Sequence, residues 1–166
     1  MGAQWAEFVA NGEGLRAYYD EVPALDAVRL RSVNVQWRGP TVVLRLDLPR
    51  FPDRVPQEWR AGSADTLQLH LTFLAVADLT LRSWDPPTVA DIAVRAEGHR
   101  RLRVAVTGAG VDLEFSCSDA LLVRHLSVFR ATADGEDRGR HAFLQPIDRR
   151  LYSELPPTWE RRFYGE

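Results

Sequence analysis

Apolar and polar residues alternate most regularly between positions 66 and 73. The apolar side chains take every second position: Leu67, Leu69, Leu71 and Phe73. A period of two is typical of a β-strand that buries one face. The alternation changes phase near Ala77-Asp78, and because one extra residue turns all later side chains to the opposite face, we expect a β-bulge or a tight corner there. The pattern therefore predicts a central strand over 66–73, whose apolar side chains point into the core.

Shorter alternating stretches, separated by turn residues, lie on both sides of this central strand. They cover residues 28–37, 42–48, 89–96, 101–106, 111–115 and 121–131. A phase slip at Ser32 predicts a further bulge, and the phase slips again around His125-Leu126. Turns as short as Arg38-Gly39-Pro40 join neighbouring antiparallel strands. The chain is therefore predicted to be mainly β (α+β), with an antiparallel meander sheet or sandwich of about seven to eight strands.

Two segments before the central strand do not alternate. Residues 4–19 have helical spacing that is broken at 11–14, which predicts two short N-terminal helices on the sheet. Residues 49–65 contain three prolines together with Phe51 and Trp59, and we interpret them as a long loop. Loops of this length are often functional, and the alternative is that the aromatic residues close one end of the core.

The last part of the chain has a different character. A polar stretch with glycines at 133–140 precedes a run of apolar residues spaced among charges: Phe143, Leu144, Ile147, Leu151, Tyr152, Leu155, Trp159, Phe163 and Tyr164. This run is too apolar to stay in water, so we expect a docked C-terminal tail, packed on the body or on a second copy in a homodimer. The predicted organisation is one β-rich domain with its helices over 1–131 and an extension over 132–166.

Charge and hydropathy exclude several classes of protein. The formal net charge is −2, and the 21 basic residues, all arginine, are opposed by 23 acidic ones, which argues against a nucleic-acid partner. No apolar run approaches the roughly 20 residues that a membrane-spanning helix needs. The first residues lack the pattern of a secretion signal. We therefore expect a cytoplasmic protein with no membrane or nucleic-acid partner.

The sequence contains no recognisable catalytic or metal-binding spacing. Cys117, the single cysteine, excludes an internal disulfide and is predicted to be a buried, inert thiol; the alternative is a catalytic thiol with a nearby histidine. The four histidines match no metal motif, and His70, opposite the leucines of its strand, is expected at solvent or at a second surface. Gly108 and Gly110 belong to a turn between strands. The prediction is no cofactor, no metal and no enzyme, although distant strands can still assemble a small hydrolase site.

Four segments carry a family resemblance. They are W-A-E-F with L-R-A-Y-Y-D-E-V-P-A-L, L-R-L-D-L-P-R-F-P with P-Q-E-W, L-Q-L-H-L-T-F-L-A-V-A-D-L-T-L-R-S-W, and V-D-L-E-F-S-C. Spread over about residues 5–131, they resemble the immunity protein 50 family of bacterial polymorphic-toxin systems. The resemblance implies a non-catalytic protein that binds and neutralises a cognate toxin. The alternative is a small-ligand-binding β domain, with its sheet curled around an apolar pocket.

Partner-binding residues are predicted from their chemistry, because interfaces concentrate binding energy in tryptophan, tyrosine and arginine anchors. The loop at 49–65 contains Trp59 and Arg60, and the turn after the central strands begins with Trp84 and Asp85. Both tryptophans have the alternative role of filling the core. Arg60 and Asp85 are the better candidates for exposure.

Overall fold

Antiparallel β-structure dominates the protein, whose computed structural model describes residues 4–57 and 63–132 and the backbone of residues 142–143. The elements in chain order are α1 (Gln4–Glu7), α2 (Glu13–Tyr18), β1 (Val28–Gln36), β2 (Thr41–Asp47), β3 (Thr66–Phe73), β4 (Ala77–Trp84), β5 (Thr88–Ala96), β6 (Arg101–Gly108), β7 (Val111–Ser118), β8 (Leu122–Phe129) and β9 (Ala142–Phe143). Eight strands of normal length and two short helices confirm the predicted mainly β class.

All described strands belong to one sheet, in the order β4-β7-β6-β5-β1-β2-β3-β8-β9. It consists of two meanders, β1-β2-β3 and β5-β6-β7, in which consecutive strands pair. The meanders are joined by a short pairing of β1 with β5 over Val28–Leu30. The strand that follows each meander crosses over, so that β4 pairs with β7 and β8 pairs with β3. The antiparallel arrangement predicted from the short turns is confirmed, with two crossovers added.

The core lies between the two halves of this curled sheet. Phe73 of β3 and Phe115 of β7, which are far apart in strand order, meet edge to face with ring centroids 5.1 Å apart. Leu67, Leu69 and Leu71 are all 0% exposed, as the alternation predicted. An aromatic contact across the sheet brings the inner faces of the two meanders together, and the apolar rows of both pack against each other.

Bulges occur where the sequence pattern changes phase. The pairing of β1 with β2 shifts between Leu30 and Ser32, and that of β4 with β7 shifts after Ala77, beside Asp78 at φ +53°. In β8 the irregular residue is His125, at φ +52°. The pairing is therefore irregular at all three places where the sequence pattern changes phase, as a bulge requires.

The two N-terminal helices are short, and hydrogen bonds to the sheet and loops hold them in place. Trp5 of α1 is buried, and its indole N–H donates to the carbonyl of Pro23 at 2.9 Å. Asn11, between the helices, both donates to and accepts from the backbone of Val123, at 2.7 and 2.8 Å. Within the described residues, neither helix has the length and apolar character to cross a bilayer.

One expectation about the central strand is wrong, because β3 is buried on both faces. His70, which was expected at solvent or at a second surface, is 3% exposed, and its neighbours Gln68 and Thr72 are 0% and 5% exposed. The alternation correctly separates an apolar face from a polar one. It carries no information on whether the polar face is covered, and here the polar side chains are buried as well.

The C-terminal extension contributes β9, in which Phe143 lies opposite Ser127 of β8. Trp159, Phe163 and Tyr164 lie outside the described residues. The docking of the extension and the domain boundary at 131 therefore remain predictions.

Candidate functional site

Of the four predicted partner-binding residues, the structure describes two, Trp84 and Asp85; Trp59 and Arg60 lie outside the described residues. Trp84 is half-buried and packs against the core, which fits the alternative role of filling the core and leaves part of its surface exposed. Asp85 is exposed, as expected, and its backbone N–H donates to the carbonyl of Gly110 at 2.7 Å. A carboxylate in solvent on a fixed backbone is available to a partner.

The described start of the long loop is anchored on the segment that follows α2. The hydroxyl of Tyr19 donates to the carbonyl of Arg50 at 2.7 Å, and Arg54 forms an ion pair with Asp20. Burial is the main cause that raises the pKa of Tyr19, so this phenol stays protonated and keeps its role as a donor. Arg50 also pairs with Asp53 at 2.6 Å. These contacts give the start of the loop a structural role.

The polar face of β1, β2 and β3 carries a buried network of side chains. Arg31 forms an ion pair with Asp47 at 2.5 Å, with both side chains less than a tenth exposed. Gln68 donates to the same carboxylate at 2.7 Å and accepts from Arg45 at 2.9 Å. Asp47 and Gln68 are direct partners in the β2–β3 register, a pairing that no local spacing in the sequence announces.

Two buried histidines lie beside this network. The rings of His70 and His125 meet edge to face, with centroids 4.7 Å apart, and both residues are buried. Buried polar groups that bond one another satisfy their desolvation cost and fix strand register. A general acid or base must instead reach its substrate. The network therefore ties strands together, and it offers the hydrolase alternative no accessible base.

Cys117 is a buried thiol, as predicted. It is 0% exposed, and desolvation raises the pKa of its thiol to about 11, against a smaller opposite effect of Arg101. A nucleophilic cysteine needs a lowered pKa and access to its substrate, so the catalytic alternative for this residue fails. Among the residues that the structure describes, no group of three His, Cys, Asp or Glu side chains is placed to hold a metal ion.

The most exposed large apolar side chain among the described residues is that of Trp37, the last residue of the alternating stretch 28–37. Trp37, directly after β1, is 79% exposed, and Val35 on the same row is 53% exposed. The guanidinium of Arg38 lies over the indole ring, 4.9 Å from its centroid. One sequence feature could have predicted this exposure: Trp37 stands directly before the Arg38-Gly39-Pro40 turn, and a strand usually leaves the core at a turn.

A surface groove of about 600 Å³ lies between α1 and the middle of β5. Its apolar lining comes from Trp5, Leu25, Ile92 and Val94, with Glu7 among its polar lining residues. The apolar residues named are themselves buried in the main core, so the groove presents the edges of core side chains. It is a candidate for the pocket of the ligand-binding alternative.

The fold and these surfaces define an open, curled antiparallel sheet domain whose described polar interior is structural. A family model described as immunity protein 50 matches residues 11–126, from just before α2 into β8. The chain therefore belongs to the immunity protein 50 family. Comparison with curated proteins and with solved structures finds no match.

Proposed function

We propose that this protein binds a cognate toxin of a bacterial polymorphic-toxin system and neutralises it without catalysis. The observation that carries the proposal is the match of residues 11–126 to the immunity protein 50 family, which indicates a toxin-neutralising role. Immunity protein families are in general non-catalytic. The buried Arg31–Asp47 pair and the protonated, buried Cys117 support a scaffold role for the polar interior.

The proposal includes the predicted contact residues Trp59, Arg60, Trp84 and Asp85, a cytoplasmic location, and the C-terminal extension as the contact of any homodimer. Asp85 is the member of this set whose exposure supports it most directly. A carboxylate at the rim of an interface acts mainly on the association rate and on the choice of partner.

Co-expression with the toxin encoded beside this gene tests the proposal. We expect the wild-type protein to restore growth and to co-purify with the toxin. Asp85→Arg and Arg60→Glu should slow complex formation, most strongly at low salt, because charge steering is screened by ions. Glu13→Arg, which reverses an exposed charge on α2, is the matched control. Absence of a toxin gene beside this one, or toxicity unchanged by the wild-type protein, contradicts the proposal.

The groove between α1 and β5 favours one second candidate, the binding of a small apolar ligand. Native mass spectrometry of the purified protein separates the two functions. A retained small molecule that is lost in Ile92→Arg supports ligand binding, and a mass equal to that of the bare chain, together with toxin binding, supports the immunity role.

A further inference from the structure

The apolar row of β1 continues beyond the end of the core. Val35 is the register partner of Val42, yet Val42 is 0% exposed and Val35 is 53% exposed. Two residues further on, Trp37 is 79% exposed. Tryptophan is the side chain with the most apolar surface to bury, and one left in water costs solubility unless another molecule covers it.

Hydrogen bonds connect the hairpin tip that carries Trp37 to the rest of the structure. Gly39 takes φ +58°, a left-handed conformation that suits glycine, and its carbonyl accepts from the hydroxyl of Thr41 at 2.5 Å. The next carbonyl, that of Pro40, accepts from the backbone of Val76 at 2.9 Å. The turn is thus bonded both to itself and to the β3–β4 connection.

Two further connections are bonded to the same end of the molecule. The carbonyl of Leu74 accepts from the backbone N–H of Ser118 at 2.9 Å, and that of Ala75 accepts from the guanidinium of Arg101 at 2.8 Å. Binding through a preformed surface avoids the entropy cost of ordering loops. A partner that binds the exposed tryptophan therefore meets loops that are already hydrogen-bonded to one another, which lowers the entropy cost of binding.

The charge beside the indole defines what can cover it. Arg38 lies over the ring and, among the described residues, forms no ion pair. Arg100, on the β5–β6 turn at this end, has a side chain that is 76% exposed and only a loose 3.9 Å contact with Asp119. Glu97 is also exposed on that turn and offsets the charge of Arg100. The preference for an anionic group on the partner therefore comes from Arg38. A recess that accepts the indole must therefore also offer an acceptor, and a carboxylate is the best complement of a guanidinium.

We infer that Val35, Trp37 and Arg38 form the main anchor for the toxin, inserting into an apolar recess of the toxin that is bordered by a carboxylate. The inference rests on the proposed function and adds the surface and the chemistry of the partner. A second copy of this chain is a poorer occupant, because a symmetric contact centred on the tip brings each Arg38 against its own equivalent. The same repulsion between positive charges argues against a basic, nucleic-acid-binding groove of the toxin as the surface that Arg38 contacts.

This anchor is distinct from the surface at Asp85. The hydrogen bond from the backbone N–H of Val76 to the carbonyl of Pro40 places the start of β4 at the hairpin tip. β4 is eight residues long and ends at Trp84, which is about 23 Å away at the usual rise of a strand. Substitutions at the two ends of β4 therefore report on separate surfaces.

The test measures the dissociation constant of the full-length protein for the toxin domain encoded beside its gene. Trp37→Ala should weaken binding roughly thirtyfold, as expected of an interface anchor, and Arg38→Glu should weaken it by at least about tenfold with a larger effect at low salt. Leu81→Ala, which trims another exposed apolar side chain on β4, is the matched control and should leave the constant unchanged. Because Trp37 is outside the core, its variant should keep the wild-type melting temperature, which excludes misfolding as the cause.

The outcomes separate the inference from the function. Tight wild-type binding that Trp37→Ala leaves unchanged overturns the inference and keeps the immunity role; loss in Asp85→Arg alone then assigns binding to the other end of β4. Conversion of a dimer to a monomer by Trp37→Ala, with toxin binding unchanged, assigns the tip to a second copy and overturns the inference. Failure of the wild-type protein to bind or to protect overturns both.

Discussion

Replacing Leu71 by alanine tests the packing of the core most directly. Leu71 stands in the middle of β3, is 0% exposed, and faces Leu44 and Val123 on the two neighbouring strands. Both partners are at most 1% exposed, so the site has buried side chains on either side along the sheet. A strand held on both edges cannot move to fill the space that the missing carbon atoms leave.

The expected loss of stability follows from two contributions. Leucine to alanine removes three carbon groups, and at about 0.8 kcal/mol for each buried group the lost transfer free energy is roughly 2.4 kcal/mol. The cavity left in a rigid site adds a cost that brings such substitutions to about 3–5 kcal/mol. For a chain of this length, each 1 kcal/mol corresponds to roughly 2–4 °C in the melting temperature. We therefore expect Leu71→Ala to melt at least about 6 °C below the wild-type protein.

Urea unfolding followed by circular dichroism and by tryptophan fluorescence measures this loss. Leu81→Ala is the control, because Leu81 is 44% exposed on β4 and the same substitution there should cost less than about 0.5 kcal/mol. The slope with urea should stay unchanged, so that the shift in midpoint reports stability alone. A loss below about 1 kcal/mol for Leu71→Ala, or equal losses at the two positions, would refute the packing of β3 between β2 and β8.

Two further predictions concern the thiol and the C-terminal extension. The pKa of Cys117 is raised from 9.0 to about 11, so the folded state binds the thiol proton more tightly than the unfolded state does. The resulting contribution to stability is complete below pH 9 and is lost as the pH rises towards 11. The wild-type protein should therefore lose stability over this range relative to Cys117→Ala, and parallel pH profiles of the two proteins would contradict the assignment. Truncation after Ala131 removes β9 and leaves β8 as an open edge strand with Ser127 and Val128 uncovered, so light scattering should show aggregation, whereas unchanged solubility and melting temperature would mean that the extension is dispensable.

The fold class was predictable because the signal for a half-buried strand is local. Alternation between leucine and polar residues sets the face of each side chain, and a break in the alternation marks a bulge, as at Asp78 and His125. Strand order was less accessible. The pairing of β1 with β5 and of β3 with β8 joins residues that are fifty or more positions apart, and only the core that they bury together selects these partners.

The second face of β3 shows a different limit of the sequence. The polar residues of this strand read as solvent-facing, whereas Gln68 is buried against Asp47 and the ring of His70 lies against that of His125. Each contact joins residues of different strands, so no window along the chain contains both partners. A polar side chain in an alternating pattern is equally compatible with water or with another polar group, and tertiary contacts decide between them.

Trp37 illustrates the converse, an apolar residue that the pattern places inside and the fold places outside. Alternation assigns Val33, Val35 and Trp37 to one face of the strand, but it does not predict how far along the strand that face is covered. In the structure the exposure along this row rises from half-buried at Val33 to 53% at Val35 and 79% at Trp37. The hairpin's own turn continues to hold the strand pair beyond that point. Apolar residues that follow the pattern past the buried part of the row gain little from folding, and a partner that covered them would supply the missing burial, so the β1–β2 turn is the first contact to test.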